Sequence, residues 1–240
     1  MAPTDDILRI FRQIAYEQRK IRLLNLYKGI PISYAASIVS IGEASVTIRT
    51  EKIQLVTMYL ARETFIQNVK FPHLVRAGVI LVDTDKVNAM LSHFLYNPER
   101  LGELTRARIH PGERVEGAVL SEQAGQVSGE MVDISLDGVA VLVQEKTVGD
   151  ACMPGEAVGV QLQLPRRIAS AERQPLQLRG KIANVKKGLP DGKCRIGVEL
   201  EPNHPARLEL AQFISQRQAE LLREIRSIYE LVSLETKETS

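Results

Sequence analysis

The sequence predicts a mainly β protein in which two units of short strands lie between an amphipathic N-terminal helix and a long C-terminal helix. Three observations support this fold class. Strand-like apolar segments recur at short intervals along the 240 residues, turn residues separate them, and helical spacing of apolar residues is confined to the two ends of the chain. Many short strands with few helices favour a barrel or a sandwich over a parallel sheet.

The N-terminal helix is predicted from its start signal and its periodicity. The hydroxyl of Thr4 can cap the free amides of a first turn, and Asp5 and Asp6 place negative charge at the positive end of the helix dipole. Apolar residues then follow at helical spacing, at Ile7, Leu8, Phe11, Ile14 and Ala15. We therefore expect a helix from the Thr4 start signal to about Gln18.

A first β unit follows this helix and completes a domain at residues 1–97. Its turns are predicted at Lys28-Gly29 and Gly42-Glu43. The strand-like segments are Ile21 to Leu23, Ile30 to Ile41, one that begins at Val46, Ile53 to Tyr59, Gly78 to Val82 and Ala89 to Tyr96. This unit contains no motif that points to a particular chemistry.

An interdomain linker is predicted at residues 98–108, because the strand pattern gives way after Asn97 to a polar, arginine-bearing segment with glycine and proline.

A second β unit is predicted at residues 109–205. Its strands are expected near Val115 to Leu120, Ser128 to Ile134, Val139 to Val143, Ala157 to Leu164, Leu176 to Val185 and Cys194 to Leu200. Pro190-Asp191-Gly192 supplies the turn of the last hairpin.

A long helix is predicted at residues 206–240. Its apolar residues recur at helical spacing, at Leu210, Ile214, Leu221, Leu222, Ile225, Ile228 and Val232. Most of these offsets also resemble an interrupted heptad with Arg217 on the seam. Two alternatives follow: the helix packs across a barrel of its own chain, or it joins two chains in a homodimer.

Composition excludes several classes of function. The net charge of +2 provides no bulk attraction for DNA, and no apolar run is long enough to span a bilayer. Cys152 and Cys194 have no metal-ligand spacing, so we expect free thiols in a cytoplasmic protein. The four histidines lack suggestively spaced nucleophiles, and no phosphate-binding glycine loop is present. We predict neither an enzyme nor a resident cofactor.

The most informative motif is Asp133-Ile-Ser135-Leu-Asp-Gly138, between two strands of the second β unit. It resembles the (Asp/Asn)-x-Ser-x-x-Gly pattern of PilZ domains, and the layout of the chain is similar to that of two-barrel, flagellar-brake (YcgR-like) PilZ proteins. The resemblance implies two small β-barrels and a cyclic di-GMP site formed by Arg106, Arg108, Asp133, Ser135 and Gly138.

The residue types fit such a ligand. An arginine can pair with a phosphate, meet guanine O6 and N7 bidentately, or stack on a base. The carboxylate of Asp133 can accept from guanine or hold an arginine in place, and the hydroxyl of Ser135 can bond to the backbone or to a phosphate. Gly138 has no Cβ, so a flat base can approach the main chain. The structural alternative is a β-turn whose polar side chains satisfy the backbone.

The linker departs from the family pattern. PilZ proteins carry Arg-x-x-x-Arg in this segment, and aligning its last arginine with Arg108 places Leu104 at the first. Losing one bidentate contact costs on the order of 1–3 kcal/mol, which predicts weakened or lost binding. Arg106, Arg100 or Arg114 can substitute from a shifted linker. If the wild type does not bind, a Leu104→Arg variant is expected to gain binding.

Three functions follow from the resemblance. The first is a cyclic di-GMP receptor that couples binding to a domain rearrangement and a protein partner, such as a flagellar motor component. The second is a PilZ scaffold that has lost or weakened ligand binding and acts through protein contacts. The third is a ligand-controlled transcription regulator, which the near-neutral charge disfavours.

Overall fold

Two closed six-stranded antiparallel barrels, an N-terminal helix and a long C-terminal helix make up the fold. This computed structural model describes residues 3–97, 104, 107–148, 152–165, 175–201 and 205–238. The chain divides into two compact units, one of residues 1–107 with 220–240 and one of residues 108–219. The predicted mainly β fold with two barrels is confirmed. No helix in these described ranges combines the length and the apolar character that a bilayer crossing needs.

The first unit begins with helix α1, Pro3–Tyr16. The helix starts one residue before the predicted cap Thr4, because a proline is well tolerated in the first turn. Its apolar face is fully buried at Phe11, whose ring centroid lies 5.1 Å from that of Phe71 and 5.2 Å from that of Phe94. The periodicity of the sequence therefore identified the face that closes the core of the first barrel.

The strands of the first barrel follow the order β1-β2-β3-β6-β5-β4 around its circumference. Their bounds are Ile21–Tyr27 (β1), Ile30–Ile41 (β2), Val46–Arg49 (β3), Glu63–Gln67 (β4), Val75–Asp83 (β5) and Asn88–Tyr96 (β6). Lys28 and Gly29 both have positive φ, 46° and 83°, as the predicted two-residue hairpin requires.

One strand prediction was wrong, because residues 53–59 lie in helix α2, Lys52–Ala61. Five consecutive residues in the middle of α2 are buried, two of them polar (Gln54 and Thr57), so the order of apolar and polar residues has no clear helical period. The next element, β4, was not predicted. Arg62 separates the two: it takes a left-handed conformation, with φ of 58°, and its N–H bonds to the carbonyl of Met58.

The second barrel has the strand order β10-β11-β12-β9-β8-β7. The strands are Glu116–Ser121 (β7), Gly125–Ile134 (β8), Gly138–Gln144 (β9), Ala157–Leu162 (β10), Leu176–Leu189 (β11) and Lys193–Leu200 (β12). A short helix that the sequence did not predict, α3, occupies Glu145–Val148. Pro190–Gly192 forms a single 3₁₀ turn between β11 and β12.

The C-terminal helix α4 spans Arg207–Glu238. Four apolar residues of the predicted heptad seam are buried within the chain, at Leu210, Ile214, Leu221 and Ile225. Leu231 and Leu234, further along the helix, are exposed. Much of the seam is therefore used by the chain itself, and self-association through α4 stays a prediction.

Both cysteines are free and buried, and we expect them to resist thiol reagents in the native state. Burial raises the pKa of Cys152 and of Cys194, with a further contribution from Glu156 at the first and from Glu145 at the second. A raised pKa lowers the thiolate fraction at a given pH, and the thiolate is the reactive form. At pH 8, Ellman's reagent should react at least about tenfold more slowly with native protein than with urea-unfolded protein.

The unfolded chain serves as the internal control, since it contains the same two thiols without burial. Equal rates in the native and unfolded states would contradict the buried placement of both cysteines.

Candidate functional site

The carboxylate of Asp133 is positioned by a β-bulge. In the ladder between β8 and β9, Met131 pairs with Val141 and Asp133 pairs with Ala140, so Val132 is an extra residue in β8. Residues two apart in a regular strand share one face. Because of the bulge, Asp133 lies on the face opposite to that of Met131, whose side chain is in the core. The bulge therefore removes an acidic group from the barrel interior.

Two arginines hold this carboxylate. Nη1 of Arg108 lies 3.1 Å from Oδ1 of Asp133, and Nη2 of Arg195 lies 2.7 Å from Oδ2. The Asp133 side chain is only 9% exposed, whereas that of Arg108 is 52% and that of Arg195 27% exposed. Of the two roles that the sequence allowed for Asp133, holding an arginine is the one seen here. Two cations and one anion give this cluster a formal charge of +1.

Arg108 reaches Asp133 because the next residue is pinned to the barrel. The N–H of Ile109 donates to the carbonyl of Ile134 at 2.8 Å, and the N–H of Ile134 donates back at 3.0 Å. The Ile109 side chain is fully buried. This bridge fixes the backbone beside Arg108, whose half-exposed side chain then reaches Asp133.

Ser135 closes the turn between β8 and β9. Its N–H donates to the carbonyl of Gly138 at 2.8 Å, its Oγ donates to the same carbonyl at 3.2 Å, and Oγ accepts from the N–H of Asp137 at 3.3 Å. These bonds match the turn alternative from the sequence. Contact between Ser135 and a ligand stays a prediction.

Gly138 is explained by strand packing. It begins β9 and pairs with Glu199 of β12, and a Cβ at this position would lie 3.0 Å from the carbonyl oxygen of Val198. Such a contact is tighter than a side chain normally tolerates, so glycine permits the close approach of the two strands. Contact between Gly138 and a flat base is a separate prediction.

The remaining linker predictions have different outcomes. Arg106 lies outside the described residues. Leu104, at the place of the missing arginine, is 3% exposed and packs with Leu24, Phe65 and Leu74 of the first unit. The leucine therefore has a structural role of its own in the first unit.

Sequence analysis missed Arg195. It lies 62 residues from Asp133, in a strand whose alternating pattern is typical of any exposed strand face. No local signal marks it, because only the pairing of β8 with β9 and of β9 with β12 brings the two residues together.

A groove of about 600 Å³ lies on the second barrel, and none of Arg108, Asp133 and Arg195 is among its lining residues. Ser128, Glu130, Leu142 and Lys193 are among the residues that line it, and Leu142 lies directly opposite Arg195 in the ladder between β9 and β12. This volume falls within the range of small-molecule sites. Within the described ranges, no three His, Cys, Asp or Glu side chains form a metal-binding group.

Comparison with known proteins identifies the second barrel. Residues 108–216 match the sequence profile of the PilZ domain, which confirms the resemblance drawn from the Asp133 motif. No curated protein sequence matches the chain.

The solved structures to which this chain is similar include the following three. The Bacillus subtilis inhibitor of motility MotI/DgrA has 14% identity and a TM-score of 0.40, over 84% of this chain and 96% of its own. The K. pneumonia MrkH–c-di-GMP complex has 14% identity and a TM-score of 0.36, over 99% and 97%. Escherichia coli YcgR in complex with c-di-GMP has 10% identity and a TM-score of 0.34, over 98% and 94%.

Proposed function

Because the second barrel of this chain is a PilZ domain, we propose that the protein is a non-catalytic receptor for cyclic di-GMP, which binds at the cluster of Arg108, Asp133 and Arg195. The observation that carries the proposal is the carboxylate of the PilZ motif held between two guanidinium groups on the outer face of the second barrel. This role needs neither a cofactor nor a catalytic group.

The electrostatics of the cluster suit the ligand. Each phosphodiester of cyclic di-GMP carries one negative charge, and the formal charge of the cluster is +1. Charge-assisted hydrogen bonds from guanidinium groups to phosphate are among the strong ones, and the same groups can meet the O6 and N7 acceptors of guanine. Arg106, Ser135 and Gly138 complete the proposed site on the strength of the family pattern.

Signal output would pass through the segment that precedes the second barrel. Leu104 is buried in a cluster of the first unit, and Ile109 is pinned to β8 of the second, so only four residues separate the two anchors. A ligand that orders Arg108 would restrict this short segment and favour one arrangement of the two units. The energy available is the differential affinity of the ligand for the arrangements.

Within the second unit, helix α4 contacts the turn of the PilZ motif and the segment that follows Arg108. Arg207 donates to Oδ1 of Asp137 at 2.9 Å, and Nε of Arg217 lies 3.4 Å from the carbonyl of His110. Both the motif turn and the segment after Arg108 therefore contact the part of α4 that belongs to the second unit. We propose that the rearrangement exposes a surface for a protein partner in the cytoplasm, such as a flagellar motor component, as the family resemblance implies.

A second candidate function is a PilZ scaffold without ligand binding. It is favoured by the burial of Leu104 in place of the first motif arginine, because the linker then supplies one guanidinium fewer than the family pattern. Transcription control is disfavoured by the near-neutral charge of the chain.

Isothermal titration with cyclic di-GMP tests the proposal, with cyclic di-AMP and GMP as competing ligands. We expect wild-type protein to bind cyclic di-GMP preferentially, and Arg108→Ala to weaken binding about tenfold through loss of one guanidinium contact. The melting temperature should change little, because the ion pair of a half-exposed arginine contributes little to stability.

Arg179→Ala is the matched control, since Arg179 is an exposed arginine of β11 in the same barrel. Wild-type protein that binds none of the three nucleotides would contradict the receptor and favour the scaffold. Equal affinities of wild type and Arg108→Ala would remove Arg108 from the site.

A further inference from the structure

We propose that Arg195 is a second ligand-contacting guanidinium of the cyclic di-GMP site, in place of the arginine that the family pattern expects at position 104. The inference rests on the proposed function and adds a residue that neither motif contains. Its basis is the ion pair with Asp133 and the pairing of Arg195 with Leu142, which lines the groove of the second barrel.

Arg195 is preorganised by the barrel. Its backbone lies in β12 between two paired strands, opposite Leu142 of β9 and Lys186 of β11. Oδ2 of Asp133, 2.7 Å away, fixes the guanidinium at the end of the side chain. A group that is already ordered loses less conformational entropy when a ligand binds. Arg195 therefore differs from Arg108, which lies at the end of the linker and is half exposed.

Arg195 also determines the formal charge of the three-residue cluster. Asp133 and Arg108 alone form a neutral pair, and the addition of Arg195 changes the formal charge of the cluster to +1. A net positive cluster attracts a singly charged phosphodiester, whereas a neutral pair offers no net Coulomb attraction. The affinity of the site for a phosphate-containing ligand should therefore depend on Arg195.

The guanidinium of Arg195 has N–H groups that its bond to Asp133 does not use. Arginine carries five N–H groups, and within the described part of the chain Arg195 uses one of them, on Nη2, in its hydrogen bond to Asp133. The Arg195 side chain is 27% exposed, and Leu142 directly opposite lines the groove. A ligand that extends from the groove past Leu142 can thus meet the remaining N–H groups while Asp133 keeps its bond to the arginine.

Titration of Arg195→Ala and Arg195→Lys with cyclic di-GMP tests this inference. We expect Arg195→Ala to raise Kd about tenfold or more, as the loss of one charge-assisted guanidinium contact does. Arg195→Lys should fall between wild type and alanine, since lysine keeps the charge but loses the planar donor fork. Arg179→Ala, the exposed arginine of β11, should bind like wild type.

A second comparison separates contact with the ligand from positioning of Asp133. In an Asp133→Asn background the ion pair to Arg195 is already removed. If Arg195 contacts the ligand, adding Arg195→Ala to this background lowers the affinity further by about tenfold. If Arg195 acts only by orienting Asp133, the double variant binds like Asp133→Asn alone.

The outcomes are distinct. Wild-type protein without affinity for cyclic di-GMP would overturn the proposed function and this inference together. Binding by wild type with unchanged affinity in Arg195→Ala, or with no further loss in the Asp133→Asn background, would overturn this inference alone. Should Arg195→Ala fail to fold, the Kd of Arg195→Lys for cyclic di-GMP replaces it as the test. A Kd equal to that of wild type would overturn this inference, because it excludes a specific guanidinium contact.

Discussion

A Leu104→Arg variant is expected to lose about 3 kcal/mol or more of unfolding free energy in the first unit, and not to gain affinity for cyclic di-GMP. From the sequence alone, restoring the motif arginine predicted a gain of binding. The structure changes that expectation, because Leu104 is 3% exposed among Leu24, Phe65 and Leu74. Arginine at this position would either bury an unpaired charge or pull the segment out of its apolar contacts.

Urea unfolding followed by circular dichroism measures this loss, since the chain has no tryptophan for fluorescence. Leu104→Met is the matched control and should cost less than about 1.5 kcal/mol, because it conserves the volume and the apolar character of the side chain. A Leu104→Arg protein with wild-type stability and a lower Kd for cyclic di-GMP would show that position 104 belongs to the ligand site.

Asp133→Ala is expected to weaken cyclic di-GMP binding by about a hundredfold, the largest effect of any single substitution in the site. The carboxylate holds both Arg108 and Arg195, so its loss removes the ordering of two guanidinium groups at once. It also leaves these two cations side by side without the anion between them, and like charges repel. Asp133→Asn should be intermediate, because its amide oxygen still accepts one hydrogen bond.

Isothermal titration of the two variants beside Asp137→Ala provides the measurement. Asp137 lies in the same motif turn, but its side chain is 85% exposed and pairs with Arg207 of α4. We expect Asp137→Ala to keep affinity close to that of wild type. Equal losses in Asp133→Ala and Asp137→Ala would mean that the integrity of the turn matters and the arginine pair does not.

The sequence predicted those elements whose pattern is local. The apolar spacing of α1 identified a helix with a buried Phe11, and alternation with turn residues identified most strands of both barrels. The sequence was misleading for α2, where residues 54–58 are all buried although two of them are polar, so apolar and polar residues do not alternate with a helical period. The motif from Asp133 to Gly138 identified the PilZ domain, because its residues stand at fixed offsets within six consecutive positions.

By itself, then, the sequence determined the fold class, most of the strands and the place of the PilZ motif, since these depend on residues close together in the chain. Tertiary structure decided that Asp133 is paired with Arg195, through strand registers that join residues 62 positions apart. It also decided that Leu104 is a core residue of the first unit. Contacts between distant segments depend on strand pairing and packing, and no local pattern encodes which residues will meet.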